Sequence, residues 1–140
     1  PDDERYQPLF GTEVVTPLFG ARVPVRAHAL ADPAKGSGIA MICTFGDITD
    51  VTWWRELSLP VRGVMQPDGR LGPVTWGAPG WESTDAARAS AFYAELQGLP
   101  AAKARTRIVD QLQQSGDLVA PPRPITHAVK FFEKGDRPLE

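Results

Sequence analysis

Polar and apolar residues alternate along the first third of the chain with the two-residue period of a β-strand. Residues 22–28 read Arg-Val-Pro-Val-Arg-Ala-His, which predicts a half-buried strand, and Pro24 favours a position at a sheet edge. Two copies of Pro-Leu-Phe-Gly, at 8–11 and 17–20, flank a Val-Val pair, and this spacing favours a strand, a turn and a second strand. The pattern therefore predicts an antiparallel ribbon over 13–29.

A continuous apolar run follows, in which residues 39–45 read Ile-Ala-Met-Ile-Cys-Thr-Phe. A run of this length without alternation is typical of a strand that is buried on both faces. A further strand is predicted over 59–66, ahead of the turn signal Pro-Asp-Gly-Arg at 67–70. These segments predict a mainly β core, with 39–45 among its most buried parts.

Apolar residues recur with helical spacing in three other segments. They predict helices over 47–57, 85–97 and 100–115, and Gly116 is placed to end the last one. The residues that form the three apolar stripes are Val51, Trp54 and Leu57, then Ala89, Phe92 and Leu96, then Ala101, Ala104, Ile108 and Leu112.

The order of these elements indicates one domain in three parts. A β core spans 1–70, a loop and helical insertion spans 71–118, and a returning ribbon spans 119–140. The 13 glycines and 14 prolines disfavour a helical bundle, because neither residue suits a helix interior. Since the chain begins with Pro1 rather than Met, we expect it to be a piece of a longer protein.

Charge and composition narrow the possible functions. Lys and Arg number 15 against 17 Asp and Glu, so no basic surface for broad nucleic-acid binding is predicted. Contact with a nucleic-acid end that another domain holds stays open. The single cysteine, Cys43, has no partner for an internal disulfide. No apolar run is long enough for a membrane segment, so the default location is the cytoplasm.

Two sets of residues suggest chemistry that their arrangement does not support. Gly36-Ser37-Gly38 precedes a predicted strand, whereas a phosphate-binding loop leads from a strand into a helix, so we exclude nucleotide binding there. His28, Cys43 and His127 lack the spacing of metal ligands, and no metal site is predicted. Structural histidines and a buried free cysteine are the favoured interpretation.

A carboxylate pair, Asp47 and Asp50, is the sharpest candidate for chemistry. The two residues lie three apart where a predicted strand meets a predicted helix, so their side chains project close together. Helix capping is the favoured explanation on physical grounds, because a helix N-terminus stabilises both charges. The alternative is a pair that receives an ammonium or hydroxyl group. Of the adjacent Trp53 and Trp54, we expect one in the core and the other in a groove or a domain contact.

The segment from Lys35 to Trp54 resembles the editing domain of class I aminoacyl-tRNA synthetases. Its Cys-Thr-Phe-Gly-Asp-x-Thr-Asp-Val-x-Trp-Trp form is similar to that of valyl-tRNA synthetases. The resemblance continues through flanking motifs at 8–11, 116–118, 123–127 and 134–136, and so covers nearly the whole chain. It implies a small β-barrel with peripheral α-helices, and hydrolysis of mischarged tRNA.

The resemblance also implies roles for individual residues. Asp50 matches the aspartate that holds the ammonium group of the aminoacyl moiety, and Asp47 and Cys43 match positions near the threonine side chain. Met41 stands where many bacterial relatives carry lysine, and Cys43 where they carry threonine. The family's threonine-rich strand, another part of its editing site, has no counterpart within the chain, so we expect little deacylation by these residues alone. The remaining substrate-binding residues expected from the match are Gly36, Ser37, Gly38 and Thr44.

The implied mechanism has no protein nucleophile. Asp50 fixes the ammonium, backbone groups of 36–38 and 39–44 position the terminal adenosine and the ester, and a water attacks the carbonyl. The expected partners are the acceptor end of tRNA(Val) carrying threonine and the catalytic domain of the parent synthetase. No cofactor is expected for editing, while ATP and Mg²⁺ belong to the parent enzyme's synthetic site. A noncatalytic docking module for the tRNA end or the synthetase body, or an orphan β-barrel interaction domain, stays open.

Overall fold

A computed structural model describes residues 1–43, 45 and 48–123 of the chain. Within these residues, one short antiparallel ribbon and three α-helices form the regular structure. The ribbon precedes the helices in the chain, and a 3₁₀ turn, Gln7–Leu9, precedes the ribbon. The elements are β1 (Glu13–Val15), β2 (Arg22–Pro24), α1 (Ile48–Glu56), α2 (Ala86–Ala94) and α3 (Ala101–Ser115).

The ribbon confirms the predicted strand, turn and strand, although both strands are short. Strand β1 pairs with β2 in antiparallel register, with Val14 opposite Val23. Two further backbone bonds extend the ladder, from the Val25 N–H to the Thr12 carbonyl and from the Gly11 N–H to the Val25 carbonyl, both at 2.9 Å. The second Pro-Leu-Phe-Gly copy forms the connecting turn.

Helices α2 and α3 confirm the predictions for 85–97 and 100–115. Asp85 caps α2, because its carboxylate accepts a hydrogen bond from the Arg88 N–H at 3.0 Å. Gly116 ends α3 in the left-handed conformation, with φ +79°, and its N–H bonds back to the last turn of the helix. The start of α2 and the end of α3 are thus fixed by capping residues that can be recognised in the sequence.

The core lies between this helical pair, the ribbon turn and the loop before α2. Tyr93 is central, since its hydroxyl donates to the Gly72 carbonyl at 2.7 Å while its ring meets those of Phe19 and Trp76 edge to face. Phe19 and Trp76 stack in parallel with their centroids 5.1 Å apart. The buried apolar residues are Leu18, Ala21, Trp53, Ala89, Tyr93, Leu96 and Ala104.

The prediction of a buried strand over 39–45 is wrong for the described residues of that run. They form no strand, and Ile39 is 59%, Met41 78% and Phe45 54% exposed. Cys43 is exposed as well, so its predicted burial is also wrong. Phe45 meets Trp54 edge to face, but Ile39 and Met41 stay exposed in the described chain, because apolar composition alone does not supply an element that covers them.

The strand predicted over 59–66 is likewise wrong. Only an isolated bridge between Met65 and Leu71 forms there, across the turn that Pro-Asp-Gly-Arg predicts. The described residues are therefore not a clearly mainly β barrel, in contrast to the predicted fold class. The core forms instead around the helical pair, where Tyr93 packs against Phe19 of the ribbon turn and against Trp76 of the preceding loop.

The returning ribbon falls largely outside the described residues, which end at Arg123. The predicted positions of Thr44, Asp47 and His127 also lie outside them. No helix within the described part of the chain has the length and apolarity needed to cross a membrane.

Candidate functional site

Helix α1 is a short helix that carries the candidate residue Asp50 and buries one tryptophan. The predicted helix over 47–57 is confirmed, with bounds Ile48–Glu56. Trp53 is the buried residue of this helix, whereas Trp54 is half-buried and meets Phe45 edge to face with ring centroids 5.3 Å apart. This outcome confirms that one of the two adjacent tryptophans belongs to the core. Asp50 is half-buried in the first turn, where the helix dipole stabilises its charge.

His28 links the segment after β2 to α1 through both of its ring nitrogens. The Trp53 indole N–H donates to His28 Nδ1 at 2.8 Å, and the Leu30 backbone N–H donates to the same nitrogen at 3.1 Å. His28 Nε2 lies 2.7 Å from Glu56 Oε2. Because Nδ1 accepts two hydrogen bonds, the network places an N–H at Nε2, and this N–H donates a hydrogen bond to Glu56 Oε2. Both ring nitrogens of His28 are therefore engaged by protein groups.

The glycine loop at 36–38 is held by the N-terminal segment. The Tyr6 hydroxyl donates to the Ser37 carbonyl at 2.7 Å, and Arg5 donates to the Pro33 carbonyl at 3.2 Å. Arg5 also forms a two-pronged pair with Asp3, at 2.8 and 2.6 Å, and these hydrogen bonds lower the pKa of the Asp3 carboxyl. The loop thus has a defined shape even though its surface is exposed.

Gly38 is the position in this loop where a side chain does not fit. Its φ is +86°, and an added Cβ would lie 2.9 Å from the Arg5 guanidinium, 3.1 Å from the Asp3 carboxylate and 3.2 Å from the Pro33 carbonyl. Gly36 has a positive φ of +61° but open space around it. The missing side chain at Gly38 therefore lets the Asp3–Arg5 ion pair approach the loop backbone closely. No group lies close enough to Gly36 to require glycine for the same reason.

The structure describes six of the eight predicted site residues. Met41 and Cys43 present their side chains to solvent, and Gly36, Ser37 and Gly38 form the exposed loop that precedes them. Asp50 lies farther along the chain, on α1. The Phe45–Trp54 contact brings the end of the exposed apolar run onto α1, and Trp54 is one helical turn beyond Asp50. The geometry therefore links the run to the helix that bears the aspartate.

Sequence reasoning missed the contacts that hold α1 and the loop. His28 and Trp53 are 25 residues apart, so no short motif announces their hydrogen bond. Arg26, on the same segment as His28, donates to the Leu57 carbonyl at 3.2 Å and so reinforces this attachment. The available signal was the histidine at the end of an alternating run, a position where one face packs inward.

The residues present do not assemble a metal centre within the described chain. No group of three or more His, Cys, Asp or Glu side chains there is arranged to hold an ion. The chemistry open to the described site is therefore that of a carboxylate, of exposed backbone groups in the 36–38 loop, and of the aromatic face formed by Trp54 and Phe45.

Comparison with known proteins identifies relatives along the whole chain. No family model matches the sequence. The chain is 61% identical over all 140 residues to the valine–tRNA ligase of Thermobifida fusca, and 61% identical over the same length to that of Leifsonia xyli. It is 59% identical over 140 residues to the valine–tRNA ligase of Salinispora tropica.

The matched region is a small part of each relative. The chain spans 15% of the Thermobifida protein and 16% of the other two. Identity at this level without a break in coverage indicates common ancestry rather than a shared short motif. The chain is therefore homologous over its full length to one segment of valine–tRNA ligases.

Proposed function

We propose that this segment belongs to a hydrolytic editing site, which removes threonine from mischarged tRNA(Val). The observation that carries the proposal is the place of Asp50. It lies in the first turn of α1, a helix that is anchored by a buried tryptophan, in a chain 61% identical to a valine–tRNA ligase. The resemblance of the surrounding motif to editing domains supplies the role.

The need for such a site follows from the shapes of valine and threonine. The two side chains are nearly isosteric, and an apolar synthetic pocket rejects an added hydroxyl only weakly. A second site with polar groups favours the hydroxyl instead. Hydrolysis of the ester at that second site removes the wrong product and leaves valyl-tRNA intact.

In the proposed mechanism, Asp50 binds the α-ammonium of the threonyl group through a charge-assisted hydrogen bond. The helix dipole favours negative charge in the first turn of a helix, so a carboxylate at this position suits a cationic group. Binding the ammonium fixes the position of the adjacent ester carbonyl. Asp50 then acts by orientation and forms no covalent bond to the substrate.

The remaining groups position the terminal adenosine and the ester. We assign this task to backbone groups of the 36–38 loop and of the run that follows it, with Met41, Cys43, Thr44 and Asp47 around the threonine side chain. A water attacks the ester carbonyl, the carbon–oxygen bond to the ribose breaks, and threonine leaves while the ribose oxygen takes a proton. Holding the reacting groups in place supplies much of the rate.

The exposed apolar run supports an extension of this proposal to the fold. Ile39, Met41 and Phe45 present an apolar strip to solvent, and such strips mark surfaces that another element covers. We propose that the rest of the synthetase covers this strip and completes a β-barrel around it. The same strip favours the second candidate function, a noncatalytic docking module that seats on the synthetase body.

Two substitutions at Asp50 in the intact enzyme separate these functions. Asp50→Ala removes the carboxylate, and Asp50→Asn keeps its shape and a hydrogen-bond acceptor but removes the charge. We expect both to lower hydrolysis of threonyl-tRNA(Val) by about 100-fold or more, because the ester loses its anchor. Synthesis of valyl-tRNA should continue in both variants.

A matched control is Asp110→Asn, which makes the same change at an exposed position of α3. It should hydrolyse threonyl-tRNA(Val) at the unmodified rate. Full hydrolysis by Asp50→Asn would remove the charge-pairing role. Full hydrolysis by both Asp50 variants would leave Asp50 as a first-turn helix residue and favour the docking module.

A further inference from the structure

We propose that His28 is a positioning residue for the hydrolytic site, one that acts by setting the rotation of α1 and so the direction of Asp50. The inference rests on the proposed function. It adds a residue outside the motif that resembles editing domains, 22 positions before Asp50. Its basis is the pair of hydrogen bonds that His28 makes to Trp53 and Glu56 on α1.

The two contacts lie at different heights along the helix. Trp53 meets His28 Nδ1 at 2.8 Å, and Glu56, almost one turn later, meets Nε2 at 2.7 Å. One planar ring therefore bonds two points of the same helix face and opposes both sliding and rolling. The rings of His28 and Trp53 also pack edge to face, with centroids 5.9 Å apart.

The Trp53 contact matters most for Asp50, because the two residues are three apart on α1. Side chains at this spacing project from neighbouring positions on one helix face, about 60° apart around the axis. Any roll of the helix that moves the indole moves the carboxylate in the same direction. The hydrogen bond to Nδ1 therefore sets the carboxylate's direction as well as the indole's.

Burial of Trp53 alone does not fix this angle. An apolar contact is nondirectional, so an indole can remain covered through a range of orientations. A roll of about 20° moves a side-chain tip that is about 5–6 Å from the helix axis by about 2 Å. Misplacement by about 1 Å can cost about 100-fold in rate at a site that works by orientation. The indole N–H bond supplies the direction that packing lacks.

Asparagine and glutamine divide the two functions of His28 between them. In His28→Asn, Oδ1 takes the place of Nδ1 and can still accept from Trp53, while the reach to Glu56 is lost. In His28→Gln, the terminal amide can still donate to Glu56, but the acceptor at the Nδ1 position is gone. Trp53→Phe keeps a buried aromatic ring. It removes the indole N–H donor and makes the ring smaller.

The test measures kcat and KM for hydrolysis of threonyl-tRNA(Val) by the full-length enzyme, with melting temperature measured on the same samples. We expect His28→Gln and Trp53→Phe to lower kcat by about 100-fold with KM little changed. His28→Asn should stay within about fivefold of the unmodified enzyme, the effect of losing one surface hydrogen bond.

A purely structural role predicts a different pattern. Asn and Gln would then lower the melting temperature alike, and kcat at a temperature well below melting would be unchanged in both. That result, or equal loss of kcat in Asn and Gln, would overturn the positioning role.

Asp50→Ala in the same series separates this inference from the proposed function. If Asp50→Ala is inactive while His28→Gln retains full kcat, the His28 inference fails and the proposed function stands. If the unmodified enzyme does not hydrolyse threonyl-tRNA(Val), or Asp50→Ala retains full activity, both fail together.

Discussion

The helical half of the molecule and the segment that carries the candidate site are held by different forces. Residues 67–118 bury Tyr93 and Leu96 to 5% and 1% exposure, and Trp76 of this region stacks on Phe19 of the ribbon turn. The segment from 33 to 66 buries Trp53, and its apolar residues at 39, 41, 45 and 48 are between 54% and 85% exposed. One half is organised by packing, whereas the other is organised by discrete hydrogen bonds and keeps an apolar surface open.

This difference separates stability from activity. A packed region resists change because each side chain has several neighbours, and loss of one leaves a cavity. In a segment that is held by a few hydrogen bonds, a substitution changes the free energy of unfolding only a little. Such a segment can also present backbone and side-chain groups to a ligand. We therefore expect substitutions in the helical half to change the free energy of unfolding. Under the proposed function, substitutions around α1 should instead change the rate at which threonyl-tRNA(Val) is hydrolysed.

The largest expected effect is at Leu96, which is fully buried beneath the helical pair. Leu96→Ala should lower the free energy of unfolding by about 3 kcal/mol, because it removes buried methyl groups and leaves a cavity. Ile48→Ala is the matched control, since Ile48 is 85% exposed and should cost less than about 0.5 kcal/mol. Urea unfolding of both variants measures the difference. Equal costs would contradict the division between the two regions.

A smaller effect is expected at the Tyr93 hydroxyl. Tyr93→Phe keeps the ring packing and leaves the Gly72 carbonyl without its donor, so we expect a loss of about 1 kcal/mol. Tyr6→Phe, at a half-buried tyrosine that bonds the Ser37 carbonyl, should cost less because water can replace that donor. If Tyr6→Phe is the more costly of the two, the packed region is not the main source of stability.

Alkaline pH should sharpen the same contrast. Burial raises the pKa of Tyr93, so the unfolded chain loses this proton at a lower pH than the folded chain. The folded state then binds more protons above about pH 10, and stability falls as pH rises through the folded pKa. The melting temperature of the unmodified chain should drop more between pH 9 and 11 than that of Tyr93→Phe. Parallel curves would show that Tyr93 does not contribute.

The smallest effect is expected in the 36–38 loop. Gly36→Ala and Gly38→Ala share the cost of a positive φ, and only Gly38→Ala also pushes against Asp3, Arg5 and Pro33. We expect the two variants to differ by less than about 1 kcal/mol in stability, as surface changes do. Hydrogen exchange at the backbone amide of position 38, which bonds the Lys35 carbonyl, should be faster in Gly38→Ala alone. Equal exchange in both variants would show that the Asp3–Arg5 pair does not hold the loop.

Local signals account for what the sequence predicts correctly. Asp85 marks the start of α2 and Gly116 marks the end of α3, and the spacing of Ala89 and Leu96 marks the buried side of α2 and of the turn that follows it. The predicted apolar stripe of α3 omits Gln111, which is 1% exposed and lies seven residues after Ala104. Its amide donates to the Phe92 carbonyl at 3.0 Å, so a polar residue occupies a position that periodicity reserves for the core.

Nonlocal contacts account for what the sequence does not predict. The apolar run 39–45 indicates that burial of its side chains is energetically favourable. It does not identify the element that packs against them. The same limit applies to the site. Resemblance points to Asp50 and the 36–38 loop, whereas the hydrogen bond from Trp53 to His28 joins residues that no motif connects. A prediction of the fold needs both ends of each such contact.

The most direct test of the proposed function is to measure both activity and stability for Asp50→Asn and Leu96→Ala in the full-length protein. Each variant is assayed for hydrolysis of threonyl-tRNA(Val) and for its melting temperature, with hydrolysis measured well below melting. We expect Asp50→Asn to lose about 100-fold or more in rate while its stability changes by less than about 1 kcal/mol. Leu96→Ala should melt at a lower temperature and hydrolyse the substrate at the unmodified rate. Full hydrolysis by Asp50→Asn, or equal loss of hydrolysis in both variants, would contradict the account.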